Sequence, residues 1–201
     1  MTRIIAGQAR GRRLIVPRAG TRPTSDRVRE AMFASIESRL VSDAHSWTDV
    51  SVCDLWAGSG AIALEAWSRG ALRVVAIDKA KVAIDAIRAN IESVGAATIS
   101  VLRAPVSQVV QSAPPGGAFD VVIADPPYEV TEVSVRRDLA AAHESGWFAV
   151  DALVLVERGA HSESPFPGFV KEVEVRPYGD TALWYGRVRS ESGDSEDRHE
   201  I

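Results

Sequence analysis

The residues with the clearest chemical potential form one tetrapeptide, Asp125-Pro126-Pro127-Tyr128, which follows the apolar segment 119–124. Proline has no backbone N–H and a fixed φ, so the turn presents carbonyl oxygens and a carboxylate as a rigid set of hydrogen-bond acceptors. The exocyclic amino group of a nucleobase needs such acceptors, and an aromatic ring beside them offers a surface for stacking. The alternative is a stiff turn with a capping aspartate, and residues upstream in the chain argue against it.

A glycine-rich turn supplies that upstream evidence. Its sequence, DLWAGSG, covers residues 54–60 and lies between an apolar segment and a helical pattern. Glycine lets the backbone approach a ligand where a Cβ would collide, and ligands of doubly wound sheets bind at the carboxyl ends of the strands. Asp78 ends the next apolar segment, where an acidic residue accepts hydrogen bonds from ribose hydroxyls. The turn does not have the spacing G-x-G-x-x-G, which argues against NAD, and two glycines also occur in ordinary tight turns.

The elements that must position these residues alternate along the chain. Strand patterns occupy residues 50–54, 73–78, 98–102, 119–125 and 153–157, and helical patterns occupy 60–68, 80–94, 107–112 and 133–145. Apolar strands separated by helices predict a parallel sheet covered on both faces, a doubly wound α/β fold. Segments 170–176 and 182–188 have no helix between them and predict a terminal antiparallel hairpin, which makes seven strands. A helix is expected from Thr24 or Ser25 to Leu40, and residues 3–16 suit a small β-hairpin.

Composition excludes several classes of protein. The chain has 201 residues, of which 46% are hydrophobic and 25% charged, enough for one sizeable domain. Its single cysteine, Cys53, cannot form an internal disulfide or a cysteine-based zinc site, and the four histidines lack metal-ligand spacing. No segment has the apolar length of a membrane span or the pattern of a signal peptide. We therefore expect a soluble, cytoplasmic, monomeric protein without a metal.

Charge is distributed unevenly along the sequence. Residues 1–30 carry eight arginines and two acidic residues, although the whole chain has a net charge of −4. Such a concentrated cationic segment predicts contact with a polyanion, against the alternative of scattered solvated charges. The candidate RNA contacts are Arg3, Arg10, Arg12, Arg13, Arg27 and Arg29. Residues 190–201 are acidic and polar, so we predict a disordered tail after a main domain of residues 21–189 and a basic extension of residues 1–20.

The order of these motifs resembles the Rossmann-like S-adenosylmethionine-dependent amino-methyltransferases. The segments RIIAGQARGRRL from Arg3, RPTSDRVREAMF from Arg22 and DLWAGSGAIALEA from Asp54 are similar to the bacterial 16S rRNA guanine-N2 methyltransferases that modify the small ribosomal subunit. The resemblance covers residues 3 to about 188. It implies a methyltransferase sheet with a reversed last strand, S-adenosylmethionine as cofactor and 16S rRNA, within a small-subunit particle, as partner.

The resemblance also implies roles for individual residues. Asp125 and the carbonyl of Pro126 would accept hydrogen bonds from the guanine 2-amino group within the turn completed by Pro127, and Tyr128 would stack on the base. Asp78 would bind the ribose hydroxyls of the cofactor. The other expected cofactor contacts are Thr24, Asp54, Ala57, Gly58, Ser59, Gly60, Lys79 and Ala104.

The sequence departs from the wider methyltransferase pattern in two places. Trp56 stands where many relatives have a glycine, and we interpret it as a core residue. Residues after the third strand pattern read Leu102-Arg-Ala-Pro105, where many relatives place an acid that holds the adenine amino group, and Pro105 offers no N–H in its place. Two alternatives stay open: a DNA adenine-N6 methyltransferase, against which the lack of a target-recognition insert argues, and a noncatalytic RNA-binding protein with this fold.

Overall fold

The computed structural model describes residues 2–17 and 25–189. The predicted acidic tail, Thr24, and two of the eight N-terminal arginines, Arg18 and Arg22, lie outside these ranges. The strands are β1 Ser51–Leu55, β2 Arg73–Asp78, β3 Ile99–Arg103, β4 Phe119–Ala124, β5 Phe148–Gly159, β6 Val170–Tyr178 and β7 Thr181–Val188. The helices are α1 Asp26–Ser42, α2 Ala61–Arg69, α3 Lys81–Val94, α4 Val106–Val109 and α5 Glu132–Glu144, with a 3-10 turn at Trp47–Asp49.

The strands form one sheet in the order β3-β2-β1-β4-β5-β7-β6. Strands β1 to β5 pair in parallel, and β7 runs antiparallel to both β5 and β6. This architecture confirms the predicted doubly wound sheet of seven strands with a terminal hairpin. The order reverses between β1 and β4, because β2 lies on one side of β1 and β4 on the other, and this reversal opens a crevice at the carboxyl ends of the strands.

Two apolar layers hold the helices against the sheet. One contains buried residues of α1, α2 and α3, including Phe33, Leu64 and Ile87. The other contains residues of α4 and α5, including Val106 and Leu139. Neighbouring strand residues alternate between the layers, as side chains on a pleated strand must. Both faces are therefore covered, which explains why the central strands read as nearly continuous apolar runs.

The N-terminal segment forms the predicted small hairpin, which is closed by an antiparallel bridge between Arg3 and Arg13 and by backbone hydrogen bonds on either side of it. The carboxylate of Glu65, on α2, accepts the N–H groups of Ile5 at 2.6 Å and Ala6 at 3.0 Å, so these donors do not serve a partner strand. The hairpin therefore packs against α2.

Strand β5 is longer than predicted at both ends. It begins at Phe148 rather than Leu153 because the chain passes through a bulge, where Asp151 has a φ of 59° and the register with β4 shifts. It continues beyond Glu157 to Gly159 because β7 pairs with it as far as the turn. Arg158 consequently lies in the sheet, beside the turn that follows β4.

Candidate active site

A cleft opens at the carboxyl ends of β1, β2, β4 and β5, where the topology predicts a ligand site. It brings together eight residues that the sequence assigns to the cofactor or to the base: Ala57, Gly58, Ser59, Asp78, Asp125, Pro126, Pro127 and Tyr128. Further wall residues are Val16, Arg29, Trp56, Ala61, Ile62, Glu129, Glu157, Arg158 and Thr181. The glycine-rich turn and the Asp-Pro-Pro-Tyr turn, which are 65 residues or more apart in sequence, therefore share one cavity.

The glycine-rich turn is held by bonds to the neighbouring strand. The N–H of Ala57 donates to the carbonyl of Ile77 at 2.9 Å, and the N–H of Gly58 donates to Oδ2 of Asp78 at 2.9 Å. Gly60 begins α2 with a φ of 76°, and a Cβ there would lie 3.0 Å from a side-chain carbon of Ile87. Both its conformation and the close approach of α3 favour glycine at this position.

Asp54 lies beneath the turn and is completely buried. Its Oδ2 accepts the N–H of Ala63 at 3.0 Å, while its Oδ1 is buried without a hydrogen-bond partner. Burial raises the pKa of Asp54 well above its ordinary value, the bond from Ala63 opposes this shift, and the nearby charges of Asp125 and Asp78 add to it. Asp78 and Asp125 line the cleft and Asp54 is buried beneath it, so this end of the cleft favours a cation.

Asp78 combines a structural and a surface role. Its Oδ2 accepts the Gly58 N–H, and its Oδ1 accepts the N–H of Ala80 at 2.8 Å, just before α3. A carboxylate has about four acceptor positions, so two bonds leave room for further donors. The residue lies partly exposed in the cleft wall, where the sequence predicts the ribose hydroxyls.

The Asp-Pro-Pro-Tyr turn begins where β4 ends. The N–H of Asp125 donates to the carbonyl of Leu55 at 3.3 Å, which joins the ends of β4 and β1. The carbonyl of Pro127 accepts the N–H of Val130 at 2.9 Å. Tyr128 is 66% exposed, so a face of its ring is accessible to a planar ligand. Part of the acceptor capacity of the turn therefore already serves the protein.

Arg158 is a site residue that the sequence analysis missed. It is buried at the end of β5 and donates from Nη1 to the carbonyl of Pro126 at 3.3 Å and from Nη2 to the carbonyl of Val130 at 2.7 Å. Glu132 neutralises it through an ion pair of 2.8 Å, and this bond lowers the pKa of Glu132 to about 2. Arg158 therefore fixes both ends of the turn. The one sequence signal was a charged pair, Glu157 and Arg158, directly after an apolar run.

Trp56 does more than fill the core. It packs partly against the layer that contains α4 and α5, as predicted, but it also lines the cleft. Its φ is 60°, a left-handed conformation that costs a bulky residue roughly 1–3 kcal/mol. The strain at this position explains why a glycine is the easier choice in related turns, and it places an indole ring in the cleft wall.

The other described residues that the sequence assigns to the cofactor, Asp54, Gly60, Lys79 and Ala104, do not belong to the cleft lining. Lys79 is exposed and Ala104 is partly exposed. The N–H of Ala104 donates to the carbonyl of Asp78 at 3.2 Å, which ties the end of β3 to β2. Thr24 lies outside the described residues.

The described arginines of the N-terminal region separate into two groups. Arg3, Arg10, Arg12, Arg13 and Arg27 are exposed, as a contact surface for RNA requires. Arg29 is only 1% exposed and lies in the cleft wall. Its burial follows from helical spacing, because it shares the inner face of α1 with Phe33 and Ile36. The structure thus corrects the expectation that Arg29 belongs to the exposed patch.

The residues of the cleft fit S-adenosylmethionine. The partnerless Oδ1 of Asp54 calls for a hydrogen-bond donor, the surrounding carboxyl groups favour positive charge, and the glycine-rich turn brings backbone close to the cavity. Those features match the ammonium, sulfonium and ribose groups of this cofactor. Over residues 2–17 and 25–189, no cluster of three or more histidine, cysteine or acidic side chains is suited to a metal ion. Within the same ranges, no helix has the length and apolar character needed to cross a membrane.

Comparison with known proteins agrees with this geometry. "Ribosomal RNA small subunit methyltransferase D" of Escherichia coli is 32% identical over 164 residues, which cover 81% of this chain and 77% of the relative. The protein of the same name from Haemophilus influenzae is 31% identical and covers 77% of each chain. A solved structure, "Putative methyltransferase yhhF from Escherichia coli", superposes with a TM-score of 0.77 at 27% identity and covers 94% of this chain and 98% of the other.

Fold and cleft together define a methyltransferase of the class that uses S-adenosylmethionine, as the sequence predicts. The sequence profile of one family, described as "Conserved hypothetical protein 95", matches residues 2–187. The chain belongs to this family.

Proposed function

We propose that the protein transfers a methyl group from S-adenosylmethionine to the exocyclic N2 of a guanine in 16S rRNA of the small ribosomal subunit. The observation that carries the proposal is the shared cavity, in which a carboxylate-rich cofactor end meets the acceptor turn Asp125–Tyr128. The names of the relatives support rRNA as the substrate, and the exposed N-terminal arginines supply a matching charge.

The turn suits an amino group that reacts poorly by itself. The lone pair of guanine N2 is conjugated into the ring, so this nitrogen is a weak nucleophile. Asp125 and the carbonyl of Pro126 accept its N–H groups, which holds the nitrogen and favours localisation of the lone pair. Since a carbonyl has two lone pairs, the bond from Arg158 leaves Pro126 one acceptor position. Tyr128 stacks on the base.

The cofactor supplies an activated methyl group on a sulfonium when it is bound. The work of the chain is therefore to position groups and to complement their charge. Asp78 holds ribose hydroxyls, and Asp54 positions the glycine-rich turn from beneath by accepting the N–H of Ala63. As the N2 lone pair forms the new N–C bond, the bond between the methyl carbon and the sulfonium would break and leave a neutral thioether, and N2 would release one proton to Asp125 or to solvent.

RNA is held by the exposed arginines of the N-terminal segment. Arg3, Arg10, Arg12 and Arg13 lie on a segment anchored to α2, and Arg27 lies on α1. Because each phosphate contact releases bound counterions, the affinity for RNA should fall steeply with salt. Replacing Arg10, Arg12 or Arg13 with alanine should reduce the salt slope by about one unit per contact. Arg137→Ala is the control, because Arg137 is exposed on α5, on the other face of the sheet.

The decisive experiment measures transfer of labelled methyl groups from S-adenosylmethionine to unmodified 30S subunits, naked 16S rRNA and duplex DNA, followed by nucleoside analysis. We expect N2-methylguanosine from an RNA substrate. N6-methyladenine in the DNA would instead favour the adenine-N6 alternative, which uses the same type of turn. No transfer to any substrate, with cofactor binding intact, would refute the assignment of the base.

Asp125→Ala separates catalysis from binding. We expect loss of methyl transfer with unchanged RNA affinity, because Asp125 acts on the amino group and the arginines hold the backbone. Asp85→Asn is a suitable control, since Asp85 is 54% exposed on α3 and pairs with Lys81. Full activity of Asp125→Ala would contradict the mechanism and favour a different acceptor.

A further inference from the structure

We infer that Glu157 distinguishes guanine from adenine in the cleft by accepting a hydrogen bond from the N1–H of the base. This inference deepens the proposed function and rests on it. The observation behind it is a second carboxylate, near the end of β5, that lines the cleft together with the acceptor turn Asp125–Tyr128. The mechanism given above uses Asp125 and assigns no role to Glu157.

The register of the sheet places Glu157 next to Asp125. In the parallel pair of β4 and β5, Ala124 lies opposite Val156. Asp125 and Glu157 follow directly, so they lie side by side at the carboxyl ends of strands that are about 4.8 Å apart. Ala124 and Val156 both pack into the layer that contains α4 and α5, and alternation turns the next side chain of each strand towards the other face. Two carboxylates thus come from adjacent strands into one cleft.

The strand order places Glu157 away from the cofactor. Across the sheet, Asp78 ends β2, the glycine-rich turn follows β1, Asp125 follows β4, and Glu157 lies near the end of β5. Under the proposed function, Asp78 and the glycine-rich turn hold the cofactor, and Asp125 holds the amino group of the base. Glu157 lies on the far side of Asp125 from the cofactor. The ligand that it meets in the cleft is therefore the base.

A hydroxyl group orients the carboxylate of Glu157. Oγ1 of Thr181, the first residue of β7, donates to Oε1 of Glu157 at 3.1 Å and to the carbonyl of Arg158 at 3.0 Å. Glu157 is partly exposed, and Thr181 lies with it in the cleft wall. A carboxylate has about four acceptor positions, so donors of the protein and a donor of the base can share it. Glu157 is thus oriented by the protein and chemically able to accept from a ligand as well.

Guanine and adenine differ at the ring atom beside the reacting amino group. In guanine, N1 carries a hydrogen and lies next to the 2-amino group, whereas adenine N1, next to the 6-amino group, is an acceptor. When Asp125 and the carbonyl of Pro126 hold the amino group, an acceptor on the adjoining strand meets N1. Glu157 accepts the N1–H of guanine, but it opposes the lone pair of adenine N1 with a negative charge. A site built for one hydrogen-bonding pattern rejects the ligand that reverses it.

The test uses 16S rRNA in which the methylated position carries either guanine or 2-aminopurine. 2-Aminopurine keeps the amino group at C2 but has no hydrogen on N1. The position is located by fragment analysis of methylated rRNA, and each base is introduced by ligation of a synthetic oligonucleotide. The ratio of kcat/KM for guanine to kcat/KM for 2-aminopurine is measured for the wild type, Glu157→Ala and Glu157→Gln. Comparing this ratio between variants cancels the intrinsic reactivity of each base.

The matched control is Glu144→Gln, which removes the same charge from an exposed residue at the end of α5, on the other face of the sheet. We expect Glu157→Ala to lower kcat/KM for guanine about ten- to a hundredfold, the range of a charge-assisted hydrogen bond, and to affect 2-aminopurine much less. Glu157→Gln should recover part of the rate with guanine, because its amide oxygen is a neutral acceptor. The ratio should fall in both variants and stay unchanged in Glu144→Gln.

Affinity for S-adenosylhomocysteine, measured by isothermal titration calorimetry, should be the same in all four proteins. An equal loss of rate with both bases, including a loss through misfolding, would overturn the inference in favour of a structural role for Glu157. Weaker binding of S-adenosylhomocysteine to the Glu157 variants would overturn it in favour of a cofactor contact. Formation of N2-methylguanosine with an unchanged ratio would refute the inference alone. Transfer by the wild type to adenine N6, or to no base, would refute the proposed function and the inference together.

Discussion

Gly7 offers a quantitative test of how firmly the N-terminal segment is attached to the methyltransferase sheet. Its φ is 79°, and a Cβ built on it would lie 1.8 Å from the carbonyl oxygen and 2.2 Å from the carbonyl carbon of Ser68, at the end of α2. Both atoms are backbone, so α2 cannot yield by a side-chain rotation. Gly7→Ala must therefore displace the segment. Gly11 has a φ of 83° but no atom within 4 Å of the added Cβ, so Gly11→Ala is a matched control.

The magnitude follows from the bonds beside Gly7. The N–H of Gln8 donates to the carbonyl of Ser68 at 2.8 Å, the Ser68 hydroxyl donates to the carbonyl of Ala6 at 2.6 Å, and it accepts the N–H of Ala9 at 2.9 Å. Losing three bonds at about 1 kcal/mol each costs roughly 2–4 kcal/mol. In both variants the new alanine has a left-handed backbone conformation, which costs about 1–2 kcal/mol. Part of this cost is offset because alanine lowers the conformational entropy of the unfolded chain. We expect Gly7→Ala to be less stable than Gly11→Ala by about 2–4 kcal/mol.

Equilibrium unfolding in urea measures the free energy of unfolding of the wild type and both variants. RNA binding across a salt series shows whether displacement of the segment also moves the arginines. We expect Gly7→Ala to lower both stability and RNA affinity, and Gly11→Ala to change stability by about 1 kcal/mol or less. If the two variants unfold at the same urea concentration with equal slopes, then the contact with Ser68 does not anchor the segment and the reasoning fails.

Three further predictions concern single side chains in the fold. The pKa of Glu132 in the folded protein is about 2, below its ordinary 4.5, so its ion pair with Arg158 should stabilise the protein above pH 4.5 and lose this effect as the pH falls towards 2. Glu132→Gln should flatten that part of the curve of stability against pH, and an unchanged curve would contradict the prediction. Burial raises the pKa of the Cys53 thiol, so iodoacetamide should label the protein only after unfolding, and rapid labelling of the native protein would disprove the burial. Of the five tryptophans, only Trp56 lines the cleft. Trp56→Phe should therefore remove the change in tryptophan emission that binding of S-adenosylhomocysteine causes. Persistence of that change would place the ligand elsewhere.

The sheet and its turns were predictable because their signals are local. The segment from Arg73 to Asp78 is apolar and β-branched and becomes β2 with the predicted bounds. The turn at residues 179–180 follows from glycine and aspartate between two alternating segments, and β6 and β7 flank it as expected. A strand in a covered parallel sheet needs apolar residues on both faces, so its composition identifies it without knowledge of its partners.

The roles of the two buried arginines were not predictable in the same way. Charge density along the sequence does not distinguish an arginine in a wall from one on a surface, and Arg29 was grouped with its exposed neighbours. Its spacing from Phe33 and Ile36 contained the relevant signal. Arg158 depends on the pairing of β4 with β5, which brings residues 32 positions apart into one hydrogen bond. Such contacts follow from topology and become visible only once the strand order is known.

The same dependence on topology explains how the basic N-terminal segment and the glycine-rich turn come to share one support. Asn90, buried on α3, accepts the N–H of Ile15 at 2.7 Å and donates to the carbonyls of Ile15 at 2.9 Å and Ser59 at 3.0 Å. One amide thereby fixes the end of the basic segment and the middle of the glycine-rich turn, and Val16, the next residue, lines the cleft. Since all three bonds come from one planar group, a shift of the segment changes the bonds that hold the turn. We therefore expect a displacement of the basic segment to weaken the bonds that hold the glycine-rich turn.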